Sequence, residues 1–581
     1  MSPRFETIAQ AVAEVGNLYP DLGFTFQDAK GAETAYTFPQ MEGETAKRAA
    51  ALQRLGLKKG DRVGLIVIEP EDFVLSFLAA LRVGVVPVPL YPPMSFGNLK
   101  AYVERTARIL TNAGAHVLVT SPLLFDLLQG LKAFVEPLEH VINAAELSEP
   151  GDAPDYPTIT PDDLAFLQYT SGSTSDPKGV MVTHGSLIAN AHAIMVHGAK
   201  IAPEAGDKGV SWLPLYHDMG LIGFVISPVY HGIPVVFIPT MRFIKQPNVW
   251  LETMHRHQAT VSFAPNFAYA LAARRAKASD IARWDLSRVK VLGCGAEPIQ
   301  PKTMREFHET FAPAGLSNTA ILPAYGMAEA TLAMTFKPVD EPLRTLTISA
   351  SKLAEAGEVE QIDGATAAEG EAVEHVSCGV TFPEHEIAVL DDDMRPLPDG
   401  TEGELCFRGP SVTKGYFGNP EATAKAFRDG WIRTGDLGFM LDGQTYVTGR
   451  IKDLIIVNGR NVHPQAVEWA VAEIEGVRKG NVIAFSVPGT TGEELIVTLE
   501  TRAADPQALV PQVRSIVQRE LSLRVSEVRC LPPGTLPKTS SGKLQRRKAR
   551  DMYLRGDLGT DTRATGAHVA GSSGADKQPS A

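Results

Sequence analysis

This 581-residue sequence predicts an α/β protein: a large N-terminal domain of helix-covered sheets, a small β-barrel-like subdomain and a small α+β C-terminal domain. Three observations carry that expectation. The length is several times that of one ordinary domain. From about residue 45, stretches with helical spacing alternate with short apolar runs, the pattern of parallel strands under helical cover. After residue 376 the texture changes to short strands broken by Pro, Gly and Asp, which reads as a small antiparallel sheet or barrel.

In chain order, the helical face TAKRAAALQRLG leads to the strand DRVGLIVI, the helix EDFVLSFLAALRVG and the apolar run VVPVPLYP. A helix near 99–113 and the strand AHVLVTS follow, and the rhythm resumes at VKVLGCGAE (289–297) and ILPAYGMAEA (321–330). HEIAVLDDD and RPLPDGTEGELCFRGPSV supply the strands and turns of the β-rich part. GRIKDLIIVNGRNVHP (449–464) begins a further segment that runs to about 555. The tail, 556–581, is small, polar and aperiodic, the composition of a disordered segment.

Composition narrows the function. Hydrophobic residues make up 44% and charged residues 21%, a soluble globular mix with ample core. The net charge, 55 − 67 = −12, argues against nucleic acid as the main partner. Cys294, Cys378, Cys406 and Cys530 show no C-x-x-C spacing, so neither a zinc site nor a disulfide framework is expected, and a cytoplasmic location fits. The first twenty residues have no apolar core of signal-peptide type. The stretch 220–240 nears membrane length, but Pro228, His231, Pro234 and Pro239 interrupt it, so a buried helix followed by a buried strand is expected rather than a transmembrane segment.

Chemistry concentrates in five places. YTSGSTSDPKGVMVTHGSL (169–187) has the hydroxyls, glycines and lysine of a phosphate-wrapping loop. It is not a P-loop, because its lysine precedes the glycine and no hydroxyl residue follows. YGMAEAT (325–331) offers the carboxylate Glu329, and WIRTGDLG (431–438) offers Asp436 in a turn. GRIKD (449–453) offers Arg450 and Lys452, and PKTSSGKLQRRK (537–548) offers Lys543 in a glycine-flanked loop. Singly, each reads as a surface or turn residue.

Together, in this order and spacing over about residues 10–555, the motifs resemble those of the adenylate-forming enzymes: acyl-CoA synthetases, luciferases and adenylation domains. The resemblance implies ATP and Mg²⁺ as cofactors. It implies that Thr170, Ser171, Gly172, Ser173, Thr174 and Lys178 cradle the pyrophosphate portion of ATP. Tyr325 would stack near adenine with Gly326 and Met327 beside it, and the backbone of Gly295, Ala296 and Glu297 would run along the base. Glu329 would ligate the metal. Asp436 would hold the ribose hydroxyls with Arg450 assisting, and Lys543 would reach the substrate carboxylate and the α-phosphate. His217, in SWLPLYHDMGLIG, is expected in the active site. Lys452 falls at the family's hinge, dividing an adenylation domain (1–451) from a mobile domain (452–555).

VPLYPP (88–93), LQYTSGST (167–174), RFIKQPNVWLE (242–252), SFAPNFAYALAARR (262–275) and Ala328 resemble the fatty acyl-AMP ligases in particular. An apparent insertion at about 340–372 is similar to one thought to restrain domain rotation in that branch. The resemblance implies adenylation of a long-chain fatty acid. Acyl transfer to the phosphopantetheine of a separate acyl carrier protein, or of a polyketide or non-ribosomal synthase carrier domain, would follow. The alternative is a long-chain fatty acyl-CoA synthetase. Within this family the basic run 544–550 reads as a solvated helix face or a docking patch for an acidic carrier.

Overall fold

A computed structural model describes residues 2–93, 99–170, 177–368, 370–457, 460–489, 493–521, 523–539 and 542–559. Ser171–Thr174, and the tail from residue 560, lie outside these described residues. The chain forms two compact units: Met1–Gln465 with Thr539–Lys543, and Ala466–Lys538 with Leu544–Ala581.

In the larger unit the alternating pattern of residues 45–120 becomes a parallel sheet. Its strand order is Val86–Pro89, Arg62–Ile66, Ala115–Thr120, His140–Asn143. The helix Phe38–Arg54 starts on a capping box, with Thr37 accepting from the Gln40 N–H and the Gln40 side chain returning to the Thr37 N–H. The next helix, Pro70–Arg82, has proline at its start, Glu71 and Asp72 in its first turn and Arg82 in its last, all favourable to the helix dipole. It is buried at every position from Phe73 to Arg82, as expected of a helix covered on all sides.

A nine-stranded sheet holds the main core. Six central strands run parallel, in the order Ile321–Gly326, Val291–Cys294, Val261–Ala264, Gly209–Ser211, Val235–Phe237, Gly23–Gln27. Ala333–Phe336 and Val380–Thr381 add antiparallel strands at one edge, and Glu33–Thr37 adds one at the other. Ligands of such sheets bind outside the carboxyl ends of the parallel strands, which here lead into Gly295–Glu297 and Met327–Glu329. The stretch 220–240 forms short helical turns up to His231 and then the buried strand Val235–Phe237. Among the described residues no helix is long and apolar enough to cross a membrane.

The β-rich part is an antiparallel sheet of Glu386–Leu390, Gly403–Arg408, Phe427–Arg428, Trp431–Leu441 and Gln444–Arg450. Residues 340–372 contribute the strand Thr345–Ser349, paired with Ala372–Val376, and the helix Ala350–Ala356. Leu346, Ile348 and Leu353 pack with Phe439 and Tyr446 of the β-rich sheet, and the helix also packs against the strand Arg460–Val462. Arg305 clamps Glu374 through two hydrogen bonds of 2.8 and 2.9 Å.

The smaller unit has a three-stranded sheet, Val477–Pro488, Glu493–Thr501 and Val525–Leu531, with helices Leu509–Leu521 and Arg546–Leu554. Arg546 grips buried Glu468 with two 2.7 Å bonds. Glu500 accepts from Arg478 at 2.6 Å and from the N–H groups of Gly534 and Leu536 at 2.8 and 3.0 Å.

Candidate active site

The strand Ile321–Gly326 ends in a bulge, and the bulge demands glycine. A Cβ at Gly326 would lie 1.9 Å from the Leu332 carbonyl oxygen. Beyond it Met327 leads into the tight turn Ala328–Ala330, which carries Glu329. Thr331 closes the turn at φ 69°, a strained position for a β-branched residue, anchored by its hydroxyl donating to the Ser411 carbonyl at 2.6 Å. The neighbouring strand end is comparable: Ala296 sits at φ 69°, and Glu297 accepts from the Phe267 N–H at 2.7 Å.

Tyr325 and Asp436 meet across 111 positions of sequence, the phenol donating to Oδ2 at 2.8 Å. Arg450 approaches Oδ1 of the same carboxylate at 3.0 Å. Asp436 was expected in a turn. It lies instead within the strand Trp431–Leu441, directly opposite Arg450, because the ladder to Gln444–Arg450 overrides the local Gly-Asp turn signal. Burial and then the adjacent carboxylate hold the Tyr325 phenol well above its ordinary range, and Asp436 raises the Arg450 guanidinium.

Burial pushes the Glu329 carboxyl up, and a 2.6 Å hydrogen bond from the Tyr416 phenol opposes that shift. The Glu329 carbonyl accepts from the N–H and hydroxyl of Thr413 at 3.0 and 2.9 Å. Thr170 and Lys178 face each other in the hairpin Leu164–Thr170/Lys178–Thr183, so the two ends of the phosphate-loop sequence are fixed while Ser171, Gly172, Ser173 and Thr174 lie outside the described residues. The Lys178 ammonium stands 4.7 Å from the centroid of the Tyr416 ring. Among the described residues no group of three His, Cys, Asp or Glu could hold a metal. A hard divalent cation bound at Glu329 would have that one carboxylate plus substrate phosphate oxygens, a donor set that suits Mg²⁺.

His217 sits at the N-cap position of the short helix Asp218–Leu221, with no hydrogen bond from its side chain to the helix. Its Nε2 is buried without a hydrogen-bond partner among the described residues, and burial pulls the imidazole down to about 4, with Asp218 opposing and Lys543 assisting. The ring is neutral at pH 7. Thr539–Lys543 groups with the larger unit, and the Thr539 N–H donates to the Lys543 carbonyl at 2.7 Å. Burial lowers the Lys543 ammonium, while the nearby carboxylates of Asp218, Glu297 and Asp436 oppose that shift and Arg450 reinforces it. Lys452 lies exposed in the turn Ile451–Asp453. Sequence reasoning missed two participants: Asp218, next to His217 in YHDMG, and Tyr416, in TKGYFG. Neither has a spacing signal of its own.

The sequence profile of the AMP-binding enzymes matches residues 14–417. This chain belongs to the AMP-binding enzyme family. It is an ATP-dependent ligase that forms an acyl-adenylate, and its relatives include fatty acid ligases. A Caulobacter vibrioides protein named as an acyl-CoA synthetase is 38% identical over 536 residues, 90% of this chain and 91% of that protein. JamA of Moorena producens, a medium-chain-fatty-acid–[acyl-carrier-protein] ligase, is 34% identical over 556 residues, 92% of each. A solved structure from work on the fatty acyl-adenylate ligases of E. coli and L. pneumophila superposes with a TM-score of 0.89 at 34% identity, covering 95% of this AMP-binding enzyme and 98% of that chain.

Proposed function

We propose that this AMP-binding enzyme is a cytoplasmic long-chain fatty acyl-AMP ligase that passes its acyl group to the phosphopantetheine thiol of a separate carrier protein. The observation that carries the reading is Asp436, held by the Tyr325 phenol at 2.8 Å and by Arg450 at 3.0 Å, with the charges of Asp218, Glu297 and Asp436 acting to keep the Lys543 ammonium charged against its burial. This supports one site for the residues proposed for the reacting anions and for the ribose.

In the first half-reaction a fatty carboxylate oxygen attacks the α-phosphorus of ATP, and the bond to the departing pyrophosphate breaks. Two anions converge, and Lys543 lies where negative charge builds up. Asp436 accepts from the ribose hydroxyls while Tyr325 and Arg450 fix its orientation. Tyr325, Gly326 and Met327 flank adenine with Gly295, Ala296 and Glu297. Thr170, Ser171, Gly172, Ser173, Thr174 and Lys178 take the leaving pyrophosphate. Glu329 would hold Mg²⁺, which when bound would neutralise phosphate charge. Neutral His217 lines the carboxylate end. In the second half-reaction the carrier thiol attacks the acyl carbonyl and AMP leaves, with Lys452 as the hinge that withdraws Lys543.

An alkyl substrate is supported by half-buried apolar residues beside buried elements: Met219, Gly223, Phe263, Phe267 and Leu332. JamA by its name takes medium chains. At Gly223 a Cβ would make an ordinary van der Waals contact with Leu332 at 3.8 Å, so the position accepts a substituent without displacing a neighbour. The docked segment 340–372 supports a restrained second half-reaction. The second reading, an acyl-CoA synthetase, is favoured by the name of the Caulobacter relative. Mass spectrometry of products from palmitate and ATP with CoA or with a holo-carrier decides between them. The ligase reading expects acyl-carrier and little acyl-CoA, and efficient acyl-CoA formation overturns it.

A further inference from the structure

The segment Thr413–Phe417 joins two parts of the site that are far apart in sequence. On one side it adds to the edge of the phosphate-loop hairpin: the Met181 N–H donates to the Gly415 carbonyl at 2.9 Å, the Phe417 N–H to the Gly179 carbonyl at 2.8 Å, and Tyr416 bridges Val180. On the other side Thr413 holds the backbone of Glu329 through its N–H and its hydroxyl. Gly415 makes the crossing possible. It sits at φ 103°, and a Cβ there would lie 2.3 Å from the Thr423 methyl group.

Tyr416 projects from the middle of this segment. It is buried, with its N–H donating to the Thr423 hydroxyl at 3.0 Å and its ring set edge-on to Phe427. Its two functional surfaces point to different targets. The phenol donates to Glu329 Oε1 at 2.6 Å, and the ring face carries the Lys178 ammonium at 4.7 Å. A hydrogen bond to one carboxylate oxygen fixes the plane of the group and keeps the other oxygen for a cation. A ring face attracts an ammonium without neutralising it, so the lysine keeps its full charge for phosphate.

We propose that Tyr416 is a positioning residue for adenylation: one side chain orients both the metal-binding carboxylate Glu329 and the phosphate-binding cation Lys178. The proposal rests on Glu329 as metal ligand and Lys178 as pyrophosphate ligand. It divides Tyr416 into two separable functions. The hydroxyl serves the metal side and the ring serves the lysine side.

Tyr416→Phe and Tyr416→Leu in the full chain test the division, with thermal melting to confirm folding. Mn²⁺ binding is read by electron paramagnetic resonance in the presence of α,β-methylene-ATP, which cannot release pyrophosphate. The KM for pyrophosphate is read by exchange into ATP. Tyr416→Phe is expected to weaken Mn²⁺ binding about tenfold, the scale of one hydrogen bond to a charged group, and to leave the KM for pyrophosphate within about twofold of wild type. Tyr416→Leu is expected to raise that KM about tenfold as well, since the lysine loses its ring. Tyr416→Met replaces the leucine variant should melting show that one unfolded. Glu329→Gln is the control. Wild-type Mn²⁺ binding in Tyr416→Phe alongside weakened binding in Glu329→Gln overturns the role of Tyr416. Unchanged binding in Glu329→Gln overturns the metal reading itself. Equal effects of Phe and Leu on both constants mean a structural role only and refute the proposal.

Discussion

Asp436→Ala removes a carboxylate that is already held in place before any nucleotide arrives. Tyr325 donates to one oxygen at 2.8 Å, and Arg450 approaches the other at 3.0 Å. A fixed acceptor loses little freedom when ribose hydroxyls bind, so most of its hydrogen-bond energy should appear as affinity. Hydrogen bonds to a charged group contribute about 1.5–3 kcal/mol each, so two ribose hydroxyls place the loss at roughly 100-fold or more in ATP affinity. Asp436→Asn keeps the shape but not the charge, and neutral bonds of about 1 kcal/mol put its loss nearer tenfold. Calorimetry with α,β-methylene-ATP reads the affinities. The 2′-deoxy and 3′-deoxy analogues then complete a double-mutant cycle, since removing a hydroxyl from the ligand and its acceptor from the protein should not add. Wild type is expected to discriminate against each deoxy analogue by about tenfold or more, and Asp436→Ala by almost nothing. Full discrimination surviving in the alanine variant would refute the ribose assignment.

Three further outcomes are expected. Lys543→Ala should slow acyl-adenylate formation by about 100-fold or more while thiolation of pre-made acyl-AMP suffers far less, and equal losses in rapid-quench assays of the two half-reactions would contradict that division. If the acyl chain runs beside Gly223 and Leu332, Gly223→Leu should obstruct it and cut exchange activity with palmitate at least tenfold relative to hexanoate, about the scale of a few displaced methylenes, whereas a parallel loss on every chain length would mean this is not the acyl site. His184 is fully buried with neither ring nitrogen hydrogen-bonded among the described residues, and burial pulls it from 6.5 to about 4. The unfolded chain takes up that proton first as pH falls, so stability drops between pH 6.5 and 4 by about 1.4 kcal/mol per unit, roughly 3 kcal/mol in all. His184→Leu should therefore lose less stability than wild type between pH 7 and pH 5 in urea unfolding, and an identical pH dependence would remove His184 from the account.

The strands at 62–66, 86–89 and 115–120 and the helices between them were legible because their apolar spacing is local and matches a regular period. The nine-stranded sheet was not, since it sets Gly23–Gln27 beside Val235–Phe237, a pairing over more than two hundred residues that no window of sequence contains. Asp436 shows the same limit in miniature. Gly435 does adopt the positive φ, 72°, that makes Gly-Asp read as a turn, yet the cross-strand partner Arg450 keeps the segment in a ladder. The proposed site residues were legible for a different reason, their order and spacing along the whole chain. Their neighbours Asp218 and Tyr416 were not, because their roles come only from what they touch.

What they touch also explains the charge balance of the site. Burial pushes Glu329 toward its neutral form and Lys543 toward its neutral form, so both groups are held against their charge. The compensation inside the protein is partial: Tyr416 donates to Glu329, and the charges of Asp218 and Glu297 act to keep Lys543 charged. Each of the proposed ligands supplies the opposite sign at the position where the protein leaves a charge under-compensated. Phosphate and carboxylate anions would raise Lys543 back toward its ordinary range, and a divalent cation would lower Glu329 toward its own. Binding and charging are then linked. The field that assists the reaction is fully developed only when every substrate is present, which ties the chemistry to a filled site and leaves an empty one inert.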